Sequence, residues 1–206
     1  MGTAFQAFAH PTVSCNDQLL GVLAVHDLMD LSQDYFALFG LQAGYELDRA
    51  ELERRFRELQ RTVHPDRYAS ASDQERRIAM QRAAQINEAY RVLRDPLARA
   101  RYLLELAGGA EDAESATHQD PAFLMEQMEL REALEGVRGA ADPFSELNAL
   151  MDRIRQALDG LEGELGRLFR AEPQDTAALR DAVRRMQFFR KLEQEAEEIE
   201  ADLDDY

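Results

Sequence analysis

Thr62-Val63-His64-Pro65-Asp66-Arg67-Tyr68 decides the fold, because it separates two segments of the same helical period. Ahead of it, Leu47, Leu52, Phe56, Leu59 and Val63 recur at spacings that line one helix face. After it, Ala79, Ala83, Ile86, Tyr90 and Leu93 do the same. Pro65 pushes His64 toward an extended conformation and ends the first helix. Asp66 can cap or bridge locally. The spacing therefore predicts a helical hairpin with His64, Pro65 and Asp66 at its tip. Asp95-Pro96 stops the second helix, since proline lacks a donor and disfavours a helical residue before it. A short helix follows through Leu97, Ala100, Leu103 and Leu104. Three further starts come later. Asp120-Pro121 and Asp142-Pro143 each set an N-cap before a proline at the first helical position, and a third start lies near Pro173 to Thr176. No alternating run of useful length competes. The expectation is an all-α chain, a helical N-terminal domain followed by a three-helix bundle.

The chain has 206 residues, room for one domain or two modest ones. Its 40 acidic and 24 basic side chains give a net charge of −16, which argues against a nucleic-acid partner. Cys15 is the one cysteine, which excludes an internal disulfide and a thiolate zinc cluster. His10, His26, His64 and His118 show no ligand spacing, so no metal or cofactor is expected. There is no apolar run of about 18 residues, so no membrane span is expected. Residues 1–33 contain no Lys or Arg, unlike a secretory signal or transit peptide, and the cytoplasm is the expected location. Residues 1–33, including the apolar Leu19 to Val25, read as a poorly ordered extension. Charge steps sharply near residue 106, from net +1 over 34–105 to net −14 over 106–206, beside the loop-like Gly108-Gly109-Ala110-Glu111-Asp112. The expected organisation is an N-terminal domain over 34–107, a linker over 108–120 and the bundle over 121–206.

Between Arg54 and Arg67 stand five arginines, Arg54, Arg55, Arg57, Arg61 and Arg67, against Glu58 and Asp66. A local +3 in so acidic a chain suggests an acidic partner surface. Taken singly, these residues also fit an ordinary turn and a solvated face. Catalysis by His64 with Asp66 is conceivable, yet no nucleophile accompanies them. Taken together, the basic helix, the His64-Pro65-Asp66 loop, and the long helix ending Ile86-Asn87-Glu88-Ala89-Tyr90-Arg91-Val92-Leu93-Arg94-Asp95-Pro96 resemble a J domain. Asp34-Tyr35-Phe36-Ala37-Leu38-Phe39-Gly40-Leu41 resembles that family's opening helix. The resemblance implies a module that binds a DnaK-class chaperone and stimulates its ATP hydrolysis, doing no chemistry itself. It assigns the contact to His64, Pro65 and Asp66, with Arg54, Arg55, Arg57 and Arg61 as helpers.

The Gly/Phe-rich linker and zinc motifs of general-purpose J proteins are absent. The segment from Arg94 to Leu106, and Phe123-Leu124-Met125-Glu126-Gln127-Met128-Glu129-Leu130-Arg131-Glu132, resemble HscB, the co-chaperone family of iron–sulfur cluster assembly. The likeness runs from about Asp34 to the C-terminus. On a helix of about 100° per residue, Phe123, Leu130, Leu134 and Val137 form a core stripe. Leu124, Met125 and Met128 fall near the opposite side with Glu132, as a second packing contact or a docking patch. The resemblance favours docking. It implies an IscU-like scaffold bound by Leu124, Met125, Met128, Glu129 and Glu132, and an HscA-like chaperone as the second partner. Met186-Gln187-Phe188-Phe189-Arg190 can contribute, though its aromatics suit a core. A J-domain co-chaperone for a different client is the alternative reading.

Overall fold

The computed structural model describes residues 34–68, 71–108 and 120–204, the side chains of Pro65 and Arg67 excepted. The readings placed on residues 1–33, including Cys15, His10 and His26, lie outside the described residues, as do His118 and most of the 108–120 loop. All described elements are helical. They are α1 (Tyr35–Leu38), α2 (Arg49–Thr62), a 3-10 turn (Pro65–Tyr68), α3 (Asp73–Arg94), α4 (Pro96–Leu106), α5 (Pro121–Gly136), a second 3-10 turn (Val137–Gly139), α6 (Pro143–Arg170) and α7 (Thr176–Asp204).

Side-chain caps set most of the helix starts. Asp48 accepts from the amides of Ala50 and Glu51. Ser72 and Glu75 form a reciprocal capping box at the start of α3. Asp95, Asp120 and Asp142 each accept an amide of the first turn, with proline next in line, as their Asp-Pro pairs predict. Asp175 does the same for α7, accepting from Ala178 at 3.0 Å. The opening helix is a single turn. Gly40, at φ 61°, ends it, and the Leu41 amide donates back to the Phe36 carbonyl.

Helices α2 and α3 form an antiparallel hairpin. Phe56 stacks on Tyr90 at 4.0 Å, and Gln60 bonds Asn87 at 3.0 Å one turn nearer the tip. The apolar stripes read from sequence meet here: Leu52, Val63, Ile86 and Leu93 are buried with Phe36 and Phe39. A larger core joins α5, α6 and α7 through Leu130, Leu134, Ile154, Leu165, Met186 and Ala196. Long α6 and α7 supply most of it.

Helix α4 packs in two directions. Its Ala100 and Leu104 lie in the bundle core, while Tyr102 packs against the hairpin core and stacks on Tyr35 at 4.4 Å. Tyr45, from the loop before α2, also enters the bundle core and stacks on Phe169 at 5.4 Å. Buried Arg99 fastens this junction. Its Nε donates to the Tyr45 carbonyl at 2.7 Å and its terminal nitrogen to the Leu93 carbonyl. The guanidinium also lies 5.1 Å from the Tyr45 ring centre. Nearby, Glu46 pairs with Arg170 at 2.6 Å.

Candidate functional site

The first candidate surface is the hairpin tip. Val63 is buried in the small core and anchors the turn, so the chain leaves α2 at a fixed point. Thr62 donates to the Leu59 carbonyl at 2.6 Å, and the Tyr68 hydroxyl donates to the Thr62 carbonyl at 3.3 Å. These bonds close the turn on itself and leave the His64 and Asp66 side chains 59% and 90% exposed. The Pro65 backbone opens the 3-10 turn, and its side chain lies outside the described ones.

The tip lacks the geometry of a catalytic pair. The Asp66 amide donates to His64 Nδ1 at 3.3 Å, so that nitrogen acts as an acceptor. It cannot at the same time donate to the Asp66 carboxylate, which stands 3.6 Å away. The carboxylate therefore does not orient His64 as a base. What lies beside His64 is a shallow groove of about 360 Å³ lined by Arg57, Gln60, Arg61, Val63 and Ala83. Such a place suits contact with another protein.

The arginines of α2 are less free than a count starting at Arg54 suggests. Arg54 reaches Glu51 at 2.6 Å and Glu58 at 2.5 Å, Arg55 reaches Glu51 at 2.8 Å, and Arg57 pairs with Glu53. Hydrogen bonds from Arg54 and then Arg55 hold the Glu51 carboxyl at about 2. Glu51 and Glu53 stand just ahead of Arg54, within the preceding turn. The face is a lattice of exposed i,i+3 and i,i+4 pairs, each weak enough to be exchanged for a partner's carboxylate.

The second candidate surface is on α5. Phe123, Leu130, Leu134 and Val137 face the bundle, as their spacing predicts. Leu124, Met125 and Met128 are 45%, 63% and 65% exposed. The hairpin does not cover them, and this face of α5 is open. Glu129 and Glu132 are exposed alongside them. The aromatics of α7 divide. Phe189 is buried, whereas half-buried Phe188 meets Phe123 edge-on at 5.7 Å.

Comparison with known proteins fits this two-part plan. The DnaJ domain family matches residues 34–102, and the HSCB C-terminal oligomerisation domain family matches residues 119–197. A co-chaperone protein HscB homolog of Vibrio cholerae is 45% identical over 174 residues, covering 82% of this chain and 98% of the relative. The chain belongs to the HscB family of co-chaperones. An HscB homolog of Bordetella petrii is 50% identical over 165 residues, covering 80% of this chain and 94% of that one. The solved HscB of Vibrio cholerae superposes with a TM-score of 0.74 at 43% identity, covering 83% of this chain and 99% of that one. In this HscB-family chain α2, α3 and the tip are the J-domain hairpin, and α5–α7 are the C-terminal three-helix bundle. No described helix is long and apolar enough to cross a membrane.

Proposed function

We propose that this chain binds an IscU-like iron–sulfur cluster scaffold and delivers it to an HscA-like, DnaK-class chaperone. It stimulates that chaperone's ATPase and so promotes cluster transfer to acceptor proteins. The observation that carries this reading is the pairing of two exposed, unlike surfaces on one HscB-family framework: a polar hairpin tip and an apolar helix face. His64, Pro65 and Asp66 contact the chaperone, with Arg54, Arg55, Arg57 and Arg61 offering exchangeable cations beside them. Leu124, Met125 and Met128 bury against the scaffold, with Glu129 and Glu132 at the edge. Methionine suits such a surface because its thioether adapts to a partner's contour. Holding the scaffold next to the chaperone raises its effective concentration to about the millimolar range, so two weak contacts act as one stronger assembly. The chain performs no covalent step. The cytoplasm is the compartment where it would work.

Steady-state ATPase of the cognate chaperone, with and without scaffold, tests the reading. His64→Gln is expected to leave the chaperone at its unstimulated rate while scaffold affinity stays unchanged. Stimulation equal to that of the unaltered chain would overturn the chaperone contact. Leu124→Ala/Met125→Ala/Met128→Ala is expected to lose about 2 kcal/mol or more of scaffold binding, as expected when an apolar anchor is truncated. Unchanged affinity would remove the scaffold contact and leave the J domain standing.

A further inference from the structure

Two guanidiniums beside the exposed face of α5 have no carboxylate partner among the described residues. Arg131 lies 5.7 Å over the Phe188 ring, and Arg185 lies 5.2 Å over the Phe123 ring. The two rings touch edge-on, so both cations sit on one aromatic step joining α5 to α7. Among the described residues neither arginine has an acid within ion-pair distance. Residues 106–206 hold 25 acidic side chains against 11 basic ones, so carboxylates are abundant, yet these two heads rest on rings. The Arg185 Nε is buried with no acceptor among the described residues.

Helix geometry makes the arrangement directional. At about 100° per residue, Arg131 falls about 20° to one side of Leu124, toward α7. Glu132 and Glu129 fall about 80° and 140° to the other side. Met128 and Met125 fall about 40° and 100° to that same side, so the apolar patch has Arg131 on its α7 side and Glu129 beyond its far side, with Glu132 within its span. Glu135 comes a turn after Arg131, lining a groove with Glu195 and Glu198 of α7. A cation held on a ring keeps its position without the cost of ordering it at binding.

We infer that Arg131 and Arg185 form a positive rim of the docking face and that the occupant is a protein surface whose apolar centre carries carboxylates on the side meeting α7. This rests on the scaffold-docking reading of α5 and adds the charge pattern of the partner. A polarised rim fixes which way round the partner sits, because the reversed pose sets carboxylate against Glu129 and Glu132.

Calorimetric titration of the full chain with a purified IscU-type scaffold protein, at low and high KCl, tests it. Arg131→Gln/Arg185→Gln is expected to weaken binding about tenfold at low salt and to flatten its salt dependence. Arg131→Glu/Arg185→Glu is expected to weaken it further. Helicity and melting temperature identify any variant that fails to fold, in which case the neutral pair carries the reading. If the neutral pair binds with the unaltered affinity and salt slope while Leu124→Ala/Met125→Ala/Met128→Ala loses binding, the positive rim is wrong and the docking face survives. Weaker binding with an unaltered salt slope also overturns it, since charge would not be the cause. If the triple alanine variant binds as before, the docking face and its rim fall together.

Discussion

Tyr45 combines a buried ring with a hydroxyl that has no hydrogen-bond partner among the described residues. Burial, reinforced by the Glu162 carboxylate, pushes this phenol up to about 12, with Arg99 pulling partly the other way. A group whose folded pKa exceeds its ordinary value of about 10 stabilises the fold fully below that value and loses the contribution as pH rises toward 12. Two units correspond to about 2–3 kcal/mol. Tyr45→Phe is expected to change stability by less than about 1 kcal/mol at pH 7, since no bond is lost. Between pH 10 and 12 the variant should lose less stability than the unaltered chain, which urea unfolding at each pH would show. At this scale the sequence was only partly readable. The hairpin-tip residues stand out because Pro and Asp shape backbone locally. Glu51, which pairs with Arg54, lies in the turn ahead of the basic run from Arg54 to Arg67 and so outside its local charge. Nothing local marks Arg99 as the residue that bonds a carbonyl 54 positions away.

Single elements follow their sequence closely, since caps and apolar periods act within a few residues. The face of α3 and the two faces of α5 were legible for that reason. The Asp175 cap of α7 was readable in principle from its position before Thr176. At the start of α3, Ser72 and Glu75 satisfy each other's donors, and the Ser72 bonds hold the Glu75 carboxyl below its usual range. Ser72→Ala is expected to cost about 1 kcal/mol in chemical unfolding. The loss should appear as faster amide exchange in the first turn of α3, with α6 and α7 unaffected. In α5 the spacing separates inward from outward residues, but it cannot tell which neighbour lies beyond the edge. That is why the step from Phe123 to Phe188, and the arginines on it, emerge only from the folded helices.

Across the molecule, two cores meet at α4. The charge step near residue 106 marks a change in composition, while packing draws Ala100, Leu104 and Tyr45 into the bundle core. Arg99 holds this seam from within, at 6% exposure, and burial lowers its pKa without removing its charge. Arg99→Met keeps the stem and removes the donors, leaving the Tyr45 and Leu93 carbonyls unanswered. The expected cost is about 3 kcal/mol in urea unfolding. If the variant matches the unaltered chain in stability, the seam is held by apolar contact alone.

The double allegiance of α4 bears on how portable the parts are. A J domain trimmed at residue 102 would keep its hairpin but strand the aromatic ring of Tyr45 in water, and a transplanted bundle would arrive with an open seat where Ala100 and Leu104 belong. Exchanging either half with that of a distant homologue therefore requires grafting the loop around Tyr45 and the whole of α4 as one cassette, with Arg99 inside it.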